Sequence, residues 1–174
     1  MYRLARLAHH SHVFTQAFHN LVYCFFYSYD TRVHAWTRDI ELWISGFALY
    51  ALLYGKTKTP NAFAHSVLSL LLIFIRRRYH YSPYFANSAY FLAEICEPHR
   101  ALIRVLPSGS CLHSLVSVNS ISLQMLRLIM FPFLITSYVK KHYVGEWHQR
   151  IMIAGMTALF ARYAVAFLKA VRTC

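Results

Sequence analysis

The chain has 174 residues, of which 57% are hydrophobic, 17% aromatic and only 14% charged, and its net charge is +12. So apolar a composition argues against an ordinary soluble domain and for a single membrane domain spanning residues 1–174. The 18 lysines and arginines fall between apolar runs, so the positive charge is read as meeting anionic phospholipid, cardiolipin-like headgroups included, and no nucleic acid.

Residues 1–11 place Arg3, Arg6 and His10 near one helical face, and no acid precedes Asp30. A basic, acid-free, amphipathic start has the character of a mitochondrial targeting segment, or of a basic flank ahead of a first membrane helix. Any targeting information is expected to stay in the mature chain.

His12 to Tyr29 is the first candidate span, with Gln16, His19 and Asn20 keeping one side from facing lipid. Asp30 to Asp39 reads as a charged connection. Ile40 to Tyr54 is a second span, in which Gly46 allows close helix approach. The turn Gly55–Thr59 leads to Pro60, placed to open a third span that stops at Arg76-Arg77-Arg78. A fourth runs from about Tyr84 to Cys96. Ala101 to Leu112 reads as a loop or short interfacial helix. Leu115 to Val139 is a fifth span with a kink expected at Pro132. Lys140–Arg150 is a polar loop, and Ile151 to Val171 is a sixth span interrupted by Arg162. Within it Gly155, Ala154, Ala158 and Ala161 suggest a close-packing face. The expected fold is therefore all-α, a polytopic membrane bundle of five to six helices.

With that topology eight basic residues fall on each side of the membrane, so the positive-inside rule gives no orientation. Arg76, Arg77, Arg78, Lys140 and Lys141 gather on one side and are expected to bind lipid headgroups.

The ionisable residues inside the spans are the candidates for function, because a charge in hydrocarbon is expensive unless it is paired or used. Asn87 and Glu94, seven apart, share a helix face. Arg127, one turn from Gln124, is expected to pair with Glu94, and His65 to join them at one end of the bundle. Arg162 is read as snorkelling from a helix end, or as meeting Glu41 or a lipid phosphate. His19, His65 and His113 raise the alternative of a haem-binding membrane electron carrier. Cys24, Cys96, Cys111 and Cys174 follow no framework spacing and are read as reduced thiols. Cys96 and His99 with Cys111 and His113 sketch a zinc site, but irregularly, and no metal is expected.

Ala64-His65-Ser66-Val67-Leu68-Ser69-Leu70, the Glu94-x-x-x-Pro98 element and Arg127 in an aromatic-rich helix together resemble the TLC-domain family, which includes the ceramide synthases. The likeness covers roughly residues 38–139. It implies helices surrounding a pocket for a long acyl chain, with His65 matching the first of a histidine pair. Ser66 stands where the second histidine would be, and the second span lacks the aspartate common in that family. The resemblance therefore implies a fold and a lipid-lined interior more than an activity.

The resulting expectation is a non-catalytic accessory subunit of a larger membrane complex of respiratory or ATP-synthase type, in the mitochondrial inner membrane. Its partners would be bound phospholipid and neighbouring subunits, with no other cofactor. The alternative is a TLC-type lipid acyltransferase or lipid-sensing protein using His65 as base and Glu94 to orient it.

Overall fold

Every described element of the computed structural model is a helix. Residues 2–27, 31–54, 60–141 and 145–172 are described. They form α1 (Tyr2–Tyr27), α2 (Thr31–Leu53), α3 (Pro60–Arg78), α4 (Pro83–Glu94), α5 (Glu97–Ile103), α6 (Cys111–Lys141) and α7 (Trp147–Arg172).

The helices run past the limits read from hydropathy, and the reason is the absence of breakers. No proline occurs before Pro60 and no glycine before Gly46. The basic start is therefore the first part of α1, and the charged stretch around Arg32 and Arg38 is the first part of α2. Pro60 does open α3, whose last turn holds Arg76, Arg77 and Arg78, where cations complement the helix dipole. Pro98 explains why α4 stops at Glu94. A proline cannot donate to the carbonyl four residues back, and its ring would collide with it. Ser110 caps α6 by accepting the His113 N–H at 3.1 Å. Just before it, Gly109 takes φ 87°, a left-handed value suited to glycine. α6 continues through Pro132.

Six helical walls close into a ring. α1 packs on α2, α2 on α3, α3 on α7 and α7 on α6; α6 packs on both α4 and α5, which return to α1. One apolar core lies among α3, α6 and α7, built on Ile75, Phe131, Tyr138, Met152 and Met156. A smaller one, Val13, Ala17 and Ile40, joins α1 to α2. At the α3–α4 link, burial pushes the Tyr81 phenol above its ordinary pKa, and its hydroxyl shares a hydrogen bond with His148 Nδ1 at 2.5 Å.

Gly155 is the close-packing residue of α7. A Cβ there would lie 2.7 Å from the Leu72 side chain of α3. Ala154, Ala158 and Ala161 are exposed instead, because they lie about 100° round the helix from Gly155. Gly46 faces open space, with nothing within 4 Å of its would-be Cβ, so it does not bring helices together.

A buried polar cluster pins α1, α2 and α4. Asn20 donates to Asn87 Oδ1 at 3.0 Å, and Asn87 donates to Thr37 Oγ1 at 2.8 Å. All three residues are fully buried. Asn87→Ala would strand Asn20 and is expected to cost about 1–3 kcal/mol, the usual loss for a buried donor left without its acceptor. Thermal unfolding in detergent measures this; a midpoint equal to wild type would contradict it.

The outer surface is apolar. Phe25, Leu53, Phe74, Leu115, Val118 and Phe133 are each at least 64% exposed, more than a soluble surface commonly shows. Two helices, α6 over Cys111–Lys140 and α7 over Trp147–Val171, are long and apolar enough to cross a membrane by themselves. Of the other expected spans, α4 is too short at 12 residues, while α1, α2 and α3 carry interrupting polar residues such as Asn20, Glu41 and His65.

Candidate functional site

The ring encloses a cavity of about 260 Å³. Phe47, Leu72, Phe85, Phe131 and Met156 give it apolar walls, while Arg6, His9, His10, His65, Glu94, Glu97 and Arg162 form most of its polar part, with Arg76 also on the wall. Chain direction explains the grouping. His9 and His10 lie about 11 Å from the start of α1, and Glu94 ends the α4 that packs against α1. Arg162 lies ten residues, about 15 Å, before the end of the antiparallel α7.

A hydrogen-bonded chain runs across the polar part. Arg6 Nε donates to His10 Nε2 at 3.2 Å, and His10 Nδ1 lies 2.6 Å from Glu94 Oε2. Because Nε2 accepts from arginine, the ring proton sits on Nδ1 and is donated to the carboxylate. Both ring nitrogens of His10 are thereby engaged. His9, 5% exposed, stacks on Phe47 with ring centroids 4.0 Å apart. Nδ1 of His9 and Nδ1 of His65 have no hydrogen-bond partner among the described residues.

His9, His10 and Glu94 present ligand atoms within 4.8 Å of one another. As a metal site the group starts at a disadvantage. A cation would have to displace the Arg6 guanidinium or break the His10–Glu94 hydrogen bond, and the local charge is already positive. The set is first a hydrogen-bonded chain.

The pairing expected between Glu94 and Arg127 is not formed. Arg127, wholly buried, instead donates to Glu97 Oε1 at 3.2 Å and to the Ala93 carbonyl at 2.9 Å. Its guanidinium carbon lies 3.8 Å from the centroid of Tyr163, so the ring face receives the nitrogens that lack an acceptor. The break at Pro98 is the cause: it turns Glu97 towards α6 while Glu94 stays on the α1 side. Glu97 also takes Arg100 at 2.9 Å and Arg6 at 3.9 Å.

Arg76 and Arg77 do not face lipid headgroups either. Both bind Glu41, a carboxylate with no exposure, the Arg77 Nε contact being 2.8 Å, and Tyr90 donates to the same group at 2.9 Å. Hydropathy cannot reveal this, since Glu41 sits 35 residues from Arg76. Arg78 and Lys140 are exposed and remain available to headgroups, whereas the Lys141 side chain, Lys56, Lys58 and Cys174 lie outside the described residues. With Glu41 taken, it is not the partner of Arg162, which also stands too far along α7 to be a helix-end residue.

The three histidines named for a haem are not brought together. His19 is exposed on the outer surface against Trp36, while His65 is on the cavity wall and His113 near the start of α6. The sketched zinc set is likewise not assembled among the described residues. His99 bonds Asn119 at 2.9 Å, Cys111 is exposed and Cys96 is buried. Sequence reading missed His9, and it left Arg6 and His10 in a basic N-terminal segment, read as either a targeting segment or a flank of the first span. Their signal was present: Arg6 and His10 are one turn apart on a helix continuous with the first span. No family model matches the chain, and no curated protein or solved structure matches it either.

Proposed function

We propose that this chain is a polytopic membrane protein of five or six spans, TLC-like in arrangement, that holds a lipid-type amphiphile inside its helix ring. In this reading it serves as a non-catalytic, lipid-contacting subunit of a larger membrane complex in the mitochondrial inner membrane. The observation that carries the lipid part is the cavity, whose apolar walls end in a group of imidazoles, arginines and the two carboxylates Glu94 and Glu97. A hydrocarbon chain fits the first and a polar head the second. The apolar outer surface supports membrane burial of the whole ring. Arg78 and Lys140, exposed at one rim, support contacts to anionic phospholipid or neighbouring subunits.

The non-catalytic part rests on how the polar groups are used. Acyl transfer needs a positioned general base. Glu94 is engaged by His10, and His10 by Glu94 and Arg6. His65 is left without an orienting hydrogen bond at Nδ1. The competing reading is the acyltransferase with His65 as base, favoured by the position of His65 on the cavity wall. Gentle detergent extraction followed by native gel migration separates the two. Co-migration with a large assembly is expected; a lone 20 kDa species with acyl-CoA-dependent product formation, abolished by His65→Ala, would overturn the accessory role.

A further inference from the structure

We infer that the amphiphile carries an anionic head, a carboxylate or a phosphate monoester, seated on Arg162 beside His65. This rests on the lipid-holding reading above and adds to it the charge and the docking residue. The argument is one of charge balance inside the ring. The chain has six acids, namely Asp30, Asp39, Glu41, Glu94, Glu97 and Glu146. Glu41 is held by Arg76 and Arg77, Glu94 by His10, and Glu97 is shared by Arg6, Arg100 and Arg127. Asp39 is exposed on α2, and Glu146 is exposed just ahead of α7, sixteen residues or about 24 Å from Arg162 along the helix. Asp30 lies outside the described residues.

Arg162 is thus a half-buried cation on the cavity wall with no ion pair or hydrogen bond among the described residues. Within a membrane segment such a group is expensive unless something balances it. Of the two carboxylates on the cavity wall, Glu94 is engaged by His10, and Glu97, the nearer source of negative charge for Arg162, is already shared by three other arginines. An incoming anion is the missing partner. His65 supplies a second polar contact, since Nδ1 is buried and unpartnered. The neighbouring wall at Leu72 and Met156 would receive the first part of the hydrocarbon chain.

The test compares an acid with its uncharged ester. Protein purified in detergent and stripped of lipid is titrated with a fluorescent polyene fatty acid and with its methyl ester. Saturable binding of the acid is expected, with the ester at least about tenfold weaker, the scale of one charge-assisted contact. Arg162→Leu should bring the acid down to the ester, and Arg162→Lys should keep most of the preference. A lysophosphatidate competitor distinguishes the head: displacement tighter than by the fatty acid assigns the phosphate, weaker displacement the carboxylate. A second readout separates docking from a structural role. Arg162→Leu should raise the unfolding midpoint of the stripped protein, by removing an unpaired charge, yet abolish the further rise given by fatty acid. Equal affinity for acid and ester in wild type would overturn the anionic head and leave the amphiphile reading intact. Binding of neither compound, with Ala89→Phe in the cavity wall also without effect on retained lipid, would sink both.

Discussion

Arg127→Leu is expected to destabilise the bundle by about 3–5 kcal/mol, the range for breaking a buried ion pair from one side. Arg127 is fully buried and ties three elements together: Glu97 of α5, the carbonyl of Ala93 in α4 and the ring of Tyr163 in α7. Its removal leaves the helix-capping break between α4 and α5 without its clamp. Monodisperse yield and thermal unfolding in detergent report the loss. The pairing itself is tested by a double-mutant cycle. Arg127→Gln with Glu97→Gln should be non-additive, whereas Arg127→Gln with Glu94→Gln should be close to additive. The opposite pattern would return Arg127 to Glu94.

Glu41→Leu is the second large effect. Glu41 has no exposed surface and accepts from Arg76, Arg77 and Tyr90 at once. Without it Arg76, 8% exposed, becomes a buried cation with no counter-ion, at a cost again of about 3–5 kcal/mol. Arg77→Ala should be far milder, since Arg77 is partly exposed and Glu41 keeps Arg76. A comparison of the two unfolding midpoints decides it: if Arg77→Ala lowers the midpoint as much as Glu41→Leu, the hub lies elsewhere. If Glu41→Leu is silent, the three-donor cluster contributes nothing to the fold.

Much of the architecture was legible because apolar length and helix breakers are local signals. Pro60 and the arginines at 76–78 bound α3 as read, and Asn87 and Glu94 do share a face, both meeting α1 through Asn20 and His10. What the sequence could not give is which charges meet. Glu94 and Glu97 are three residues apart, and only the turn forced by Pro98 decides which of them faces Arg127. Arg76 and Arg77 look like headgroup ligands until Glu41 is brought beside them by α2–α3 packing. His9 and His10 look like part of a basic terminal segment until the packing of α1 on α4 sets His10 against Glu94. In each case the missing information was a tertiary contact, which neither periodicity nor hydropathy encodes. Among the polar residues that interrupt α1, α2 and α3, several line the cavity or pin its walls, as Asn20, Glu41 and His65 do.

The cavity is the centre of the account, and native mass spectrometry of the protein released from detergent tests it most directly. One lipid-mass adduct per chain is predicted for the wild type, surviving mild activation and lost in Ala89→Phe, where a ring would fill the space between α4 and the facing wall. A wild-type spectrum showing only the bare chain mass, or the same adducts in Ala89→Phe, would contradict it.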